Sequence, residues 1–262
     1  MESNGRHRTT GVHHGMSRHP KKPKPPESNP TQFEEAGPNP PRLRLVLDHI
    51  DATRGRRPLP QMNQSALLLV DLQALFTAPN SPARLAGWPA AKIGCLQLLA
   101  TARKLGRPVL WTRHVHPPND RDSAIEHFFG RLITSQDPLS EIGPDCRPEQ
   151  DEPVIEKARH SAFWNTDLQE RLRNQGVDTL VIAGVQTALC VLATAADANS
   201  RDIVPVVVAD ACAAKRIEEH DAAVTALASG LAHVTDTAEI VTAWNNQNHP
   251  ALARIESQKE HT

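Results

Sequence analysis

The sequence predicts a doubly wound three-layer α/β/α domain built on a mostly parallel sheet of about six strands. Three observations carry that prediction. From Gln64 onward, short apolar runs alternate with segments of helical spacing. The strand runs are apolar throughout, as strands covered on both faces must be. The intervening segments are long enough for crossover helices, and right-handed crossovers put those helices on both faces of the sheet.

The elements follow in order. Ser65 to Val70 (SALLLV) reads as the first strand and is followed by Asp71. Ala90 to Leu105 carries Ile93, Leu96, Leu99 and Ala102 at helical spacing and stops at Gly106. Pro108 to Thr112 is a second strand, and Pro153 to Glu156 a short third. Thr166 to Asn174 is a helix with Asn165 or Thr166 as its cap and Gly176 beyond its end. Thr179 to Gly184 is the fourth strand, and Val191 to Asn199 the helix after it. Val204 to Ala209 is a fifth strand, with Pro205 near its start. Ile217 to Ser229 is a helix ended by Gly230, Ala232 to Val234 a last strand, and Ala238 to Ala243 a last helix.

Charge and proline divide the chain. Residues 1–60 hold 11 of the 29 Lys and Arg, 6 of the 30 Asp and Glu, and 10 of the 22 prolines. The run His19-Pro20-Lys21-Lys22-Pro23-Lys24-Pro25-Pro26 suits neither a helix nor a central strand. Residues 1–60 therefore read as a basic, proline-rich extension, disordered to about residue 40. An apolar patch, Leu43 to Leu47, is placed to dock on the domain. Residues 61–248 are the folded domain, and 249–262 a polar tail.

A net charge of -1 gives no overall footprint for nucleic acid or a membrane surface. No apolar run approaches the roughly 18 residues of a membrane span. The start of the chain lacks the apolar region of a secretory signal. Four cysteines without a CxxC pair suit a cytoplasmic protein with free thiols.

In open parallel sheets, ligands bind beyond the carboxyl ends of the strands, at the switch in strand order. Asp71 follows the first strand, Lys157 the third, and Cys190 the fourth. Taken singly, these are a helix cap, a surface lysine and a small buried thiol. Together they are a base, a cation and a nucleophile on one sheet edge. A thiol at a helix N-terminus also feels a field that favours thiolate.

Val70-Asp71-Leu72-Gln73 with Phe76, Lys157 with Ser161-Ala162-Phe163, and Gly184-Val185-Gln186-Thr187 with Cys190-Val191 recur in that order. With Thr194, Asp197-Ala198 and Asp210, this ordered set resembles the isochorismatase-like cysteine hydrolases, the superfamily that includes nicotinamidases. The resemblance runs from about Ser65 to Trp244. It implies a triad of Cys190 as nucleophile, Asp71 as general base and Lys157 as electrostatic partner. It implies oxyanion donors at the backbone N–H groups of Gln186 and Cys190, with a cis Val185–Gln186 peptide. The implied reaction is hydrolysis of a non-peptide C–N bond through a thioester, with Asp71 serving again as base when water attacks. It also implies a homo-oligomer acting on a small-molecule substrate.

The chain departs from the nicotinamidase pattern at Arg113-His114-Val115-His116, where His114 replaces an aspartate of that group's metal site. His114 and His116, with His127 as a third ligand, are a candidate zinc set. The lost aspartate disfavours it, so neither a metal nor a cofactor is expected. Gln73-Ala74-Leu75 and Thr187-Ala188 also differ from common forms.

Phe76, His114, His116, Phe128 and Trp164 are candidate substrate-binding residues, with His127, Phe129 and Arg131 on the long connection from Pro117 to Gln150. Cys95 reads as core, Cys212 as structural, and Cys146 as exposed and oxidisable. Two rival functions stay open: isochorismate-type vinyl ether hydrolysis, which needs an acid but no thiol, and a catalytically silent fold used as a binding module.

Overall fold

A computed structural model describes Met1 and residues 41–54, 58–118, 120, 123–130 and 132–247. The readings of residues 2–40 as disordered and of 249–262 as a tail lie outside the described residues, as does Arg131.

Among the described residues, six strands form one parallel sheet: β1 (Ser65–Val70), β2 (Val109–His114), β3 (Val154–Lys157), β4 (Thr179–Val185), β5 (Val204–Ala213) and β6 (His233–Thr235). Their order is β3-β2-β1-β4-β5-β6. The chain builds outward from β1 through β2 to β3, then returns to the other side of β1 with β4. The switch in strand order therefore lies between β1 and β4, where Val70 pairs with Gly184.

Among the described residues, eight α-helices flank the sheet: α1 (Pro41–Arg54), α2 (Ala74–Thr77), α3 (Trp88–Lys104), α4 (Ala124–Phe129), α5 (Leu168–Asn174), α6 (Leu192–Asn199), α7 (Ile217–Ala228) and α8 (Thr237–Gln247). Alternate strand residues feed two cores. Leu67, Leu69, Trp111, Val181, Ala183, Val206 and Val208 meet Cys95, Leu98 and Leu99 of α3 and Trp244 of α8 on one face. Ala66, Leu68, Leu110, Leu180, Ile182 and Val207 meet Leu168 and Leu172 of α5 and Ala195 of α6 on the other. This period of two within uniformly apolar strands is what a sheet covered on both faces requires.

Within the basic N-terminal stretch, α1 sets Val46, Leu47 and Ile50 against Ala209 and Val224. Of the apolar patch, Val46 and Leu47 thus dock, as part of a 14-residue helix, while Leu45 stays exposed. β5 runs four residues past its expected end at Ala209. The strand continues through Asp210, whose carboxylate accepts hydrogen bonds from the N–H and hydroxyl of Thr237, 2.8 Å each. That capping of α8 lets a charged residue sit inside a buried strand.

Gly184 has a structural reason to lack a side chain. It adopts φ +119°, and a Cβ there would stand 2.3 Å from the Val70 carbonyl oxygen. Gly184→Ala is expected to destabilise the fold by at least about 2 kcal/mol, since strained backbone and a backbone clash coincide. Urea unfolding of the variant measures this.

Cys146 is a correction. It is buried in the α3-side core at 2% exposure, and burial pushes its thiol up to about 11. The expectation of an exposed, oxidisable thiol fails because the segment around it folds back onto α3. Lys92 of that helix donates to Asp145. Cys95 and Cys212 are buried, as expected.

Candidate active site

Asp71, Lys157 and Cys190 converge at the carboxyl edge of the sheet. β1 ends in Asp71, which takes φ +52°, a left-handed conformation that Asp tolerates better than most residues. Its Oδ1 accepts from the Thr112 hydroxyl at 2.6 Å, and its own N–H donates back to that hydroxyl at 3.1 Å. Its Oδ2 lies 2.7 Å from Lys157 Nζ, and both side chains are wholly buried. The Lys157 ammonium also donates to Cys190 Sγ at 3.3 Å and to the Arg159 carbonyl at 3.2 Å.

The charges follow from these contacts. Burial pushes the Asp71 carboxyl upward, but the Lys157 charge and the hydrogen bonds from Lys157 and Thr112 outweigh it and hold the group below its ordinary value. Burial pulls Lys157 down, while Asp71 and the thiol raise it further, leaving a firm cation. Burial dominates at Cys190 and pushes it up to about 12, with Lys157 opposing and Asp71 reinforcing. The resting site is therefore carboxylate, ammonium and neutral thiol.

This revises the helix-dipole argument for a resting thiolate. Cys190 does not sit at the start of α6. It lies in a π-helical turn, Thr187–Val191, in which the Val191 N–H donates to the Gln186 carbonyl at 3.2 Å. The thiol is only 6% exposed there, and desolvation outweighs any dipole. The turn follows the Val185–Gln186 peptide, which is cis as the resemblance implied. Gln186 and Cys190 thus flank one tight turn at the thiol. Thr187 in that turn lies 2.9 Å from Nδ1 of buried His220 on α7.

The Lys157 loop is tied to the thiol's own helix. Ser161 donates to Asp197, and the Ala162 N–H donates to the Thr194 hydroxyl at 3.0 Å. The Ser-Ala-Phe segment after Lys157 thereby docks on α6 behind Cys190.

Next come the histidines. His114 Nδ1 is 3.2 Å from Lys157 Nζ and 4.0 Å from Cys190 Sγ. An ammonium only donates, so this Nδ1 accepts and the ring proton belongs on Nε2. His114 Nε2 faces His116 Nε2 at 3.1 Å. Burial holds His114 down at about 3, so it is neutral. The amide of Gln73 grips the His114 backbone, accepting from its N–H at 2.8 Å and donating to its carbonyl at 3.0 Å.

Among the described residues, the grouped ligand-type side chains are Asp71, His114 and Cys190, whose ligand atoms lie within 4.8 Å of one another. Each contacts the Lys157 ammonium. The cation this cluster accommodates is thus the chain's own lysine. His127 is not part of the cluster; its ring stands edge-on to Phe128.

The expected substrate-binding residues divide. His114 lies at the thiol, with His116 behind it. Trp164 stacks under the Arg159 guanidinium at 4.8 Å, and Arg159 in turn pairs with Asp120 at 2.8 Å. Phe76 packs half-buried against the α3-side core, and Phe128 is 83% exposed. Two contributors escaped the sequence reading. Thr112 reads in the sequence only as a strand residue, although a hydroxyl closing an apolar strand beside Asp71 is a usable signal. His160 sits with Nδ1 3.6 Å from Cys190 Sγ, and nothing in the Lys157-to-Ser161 segment marks it in the sequence.

A family model described as Isochorismatase domain matches residues 65–239. The chain is 33% identical over 162 residues to "Uncharacterized isochorismatase family protein YddQ" of Bacillus subtilis, covering 62% of this chain and 84% of that protein. It is 31% identical over 172 residues to a maleamate amidohydrolase of Pseudomonas putida, covering 64% of this chain and 78% of the relative. Among solved structures, an N-carbamoylsarcosine amidase from Thermoplasma acidophilum superposes with a TM-score of 0.59 at 29% identity, covering 66% of this chain and 96% of that one.

Proposed function

The chain belongs to the isochorismatase family of cysteine hydrolases, and we propose that it hydrolyses a non-peptide C–N bond of a small amide-type substrate through a thioester on Cys190. One observation carries this reading. A single buried ammonium, Lys157, touches a carboxylate at 2.7 Å and a thiol at 3.3 Å, on the sheet edge where ligands bind. Vinyl ether hydrolysis would make no use of that thiol.

The chemistry runs from the resting charges. A neutral thiol must lose its proton to attack a carbonyl, and ionised Asp71 is the neighbouring acceptor. Lys157 stabilises the thiolate as it forms, so the high resting value falls as the proton moves onto Asp71. The carbonyl carbon bonds to Sγ, and the oxyanion takes hydrogen bonds from the N–H groups of Gln186 and Cys190. Asp71 gives its proton to the departing nitrogen, the C–N bond breaks, and a thioester remains for water. No metal enters this scheme, since Lys157 supplies the positive charge. The names of two relatives, a maleamate amidohydrolase and an N-carbamoylsarcosine amidase, support C–N cleavage.

The test is a panel of small amides, ureides and isochorismate offered to wild type and Cys190→Ala. The expected result is C–N hydrolysis of at least one compound by wild type, lost by at least 10²-fold in the variant, with the unfolding midpoint nearly unchanged. Equal hydrolysis by both proteins removes the nucleophile. Turnover of isochorismate alone, untouched by the substitution, favours the vinyl ether reaction.

A further inference from the structure

We propose that His160 is a second hydrogen-bond donor to the Cys190 sulfur, one that stabilises the thiolate as it attacks. This rests on the thioester reading above and leaves Asp71 as the base in both half-reactions. The loop between Lys157 and Ser161 carries the residue, and its Nδ1 lies 3.6 Å from Cys190 Sγ, a separation that an N–H donor to sulfur spans. Its ring is flanked by His114 at 6.2 Å and edge-on to Phe129 at 6.2 Å between centroids, so the imidazole is held beside the thiol.

The direction of the contact follows from the protons available. A thiol has one hydrogen, and at Cys190 it bonds the ionised Asp71 carboxylate. The sulfur then offers only lone pairs, so its other neighbours have to donate. Lys157 does so at 3.3 Å. His114 does not, since its Nδ1 is 4.0 Å away and accepts from Lys157. Burial and then the Lys157 charge keep His160 below its ordinary value, with Asp71 opposing, so it is neutral near pH 7. A neutral imidazole carries one N–H, and on Nδ1 that N–H meets the sulfur.

Lys157 alone does not suffice for the sulfur. An ammonium has three protons, and this one faces four acceptors: Asp71 at 2.7 Å, His114 and the Arg159 carbonyl at 3.2 Å each, and Cys190 at 3.3 Å. The sulfur is the most distant of the four. A donor outside that competition supplies what the shared ammonium withholds. Hydrogen bonds strengthen when the acceptor is ionised, so the His160 contact is weak on the resting thiol and stronger on the thiolate. That difference between states is what accelerates a reaction. As the thiol proton passes to Asp71, the freed pair on Sγ bonds the carbonyl carbon and the C=O π pair moves onto oxygen. His160 keeps its proton throughout. The same N–H meets the sulfur again when the thioester C–S bond breaks and the thiolate departs.

The test separates an effect on the sulfur from one on the carbonyl. Wild type, His160→Phe, His160→Asn and Cys190→Ala react with iodoacetamide, which forms no oxyanion, and separately with p-nitrophenyl acetate. Peptide mass locates the adduct on Cys190, and p-nitrophenolate release gives the acylation rate. His160→Phe keeps a ring and removes the donor; it is expected to slow alkylation and acylation by the same factor, roughly tenfold or more. His160→Asn places a side-chain N–H near the position of Nδ1 and is expected to stay within about threefold of wild type. Unchanged rates in His160→Phe overturn the assignment. So does slower acylation with unchanged alkylation, which would place the histidine on the carbonyl side. Equal losses in His160→Asn and His160→Phe overturn it too, since packing alone would then explain them. Failure of the underlying reading looks different: Cys190→Ala releases p-nitrophenolate as fast as wild type, while the alkylation rates still decide the contact.

Discussion

Asp71→Asn is expected to lower turnover by roughly 10²- to 10⁴-fold and stability by about 3–5 kcal/mol. The substitution keeps shape and removes charge. The Lys157 ammonium, wholly buried, would lose the carboxylate 2.7 Å away and stand uncompensated. Lys157→Met is expected to cost as much by the opposite route, leaving a buried carboxylate whose remaining side-chain donor is the Thr112 hydroxyl. The double variant Asp71→Asn with Lys157→Met is expected to regain most of the stability and none of the activity, because buried ion pairs are costly to break and cheap to replace together. Urea unfolding and turnover on one substrate measure both quantities across the cycle. A loss in the double variant equal to the sum of the two single losses would mean that the two residues contribute independently.

The second large effect is a fall in stability on mild acidification. His114 is held at about 3 and His220 at about 4, both chiefly by burial, against an ordinary 6.5. Between those values the unfolded chain binds protons that the folded chain refuses. Their contribution is therefore complete above about pH 6.5 and is lost as pH falls toward 4. One unit of displacement corresponds to about 1.4 kcal/mol, so His220 alone accounts for about 3 kcal/mol across that window. Asp210 opposes part of this, because burial raises its carboxyl to about 6 and the folded chain takes up that proton before the unfolded one, so the net fall is what the two histidines leave after that offset. Asp71 acts elsewhere. Its depressed value preserves stability above 3.8 and gives it up only below that. Thermal midpoints from pH 7.5 to 4.5 test this, with His220→Gln expected to flatten the curve. A curve flat to pH 4.5 in wild type would sink the account.

Much of this was legible in the sequence, for definite reasons. Uniformly apolar strands between helical segments force a covered parallel sheet, and Asp71, Lys157 and Cys190 each follow such a strand. The comparisons with known proteins agree on the family. What escaped depends on tertiary contacts. The fifth strand reads as ending at Ala209 because the partner of Asp210, Thr237, lies 27 residues on. Cys146 looked exposed because its loop carries charge, yet the thiol folds into the α3-side core. The state of Cys190 was misjudged because a dipole can be read from position, whereas desolvation requires knowing what covers the sulfur. His160 was missed because no periodicity marks a residue that reaches its partner from a loop.

The π-helical turn at Thr187–Val191 has a bearing on how this chain tolerates change in length. Such a turn holds one residue more than the α-helical turn it replaces. The surplus is absorbed between Gln186, held by the end of β4, and Leu192, held by α6. Loss of a single residue there would let the winding relax to the ordinary pitch while both ends kept their places. Every side chain between them would then be re-indexed by about 100° around the axis. The sulfur would leave the carboxylate although no catalytic residue had been altered. Tolerance to insertion and deletion, ordinarily high in connecting segments, is expected to be low in this five-residue turn.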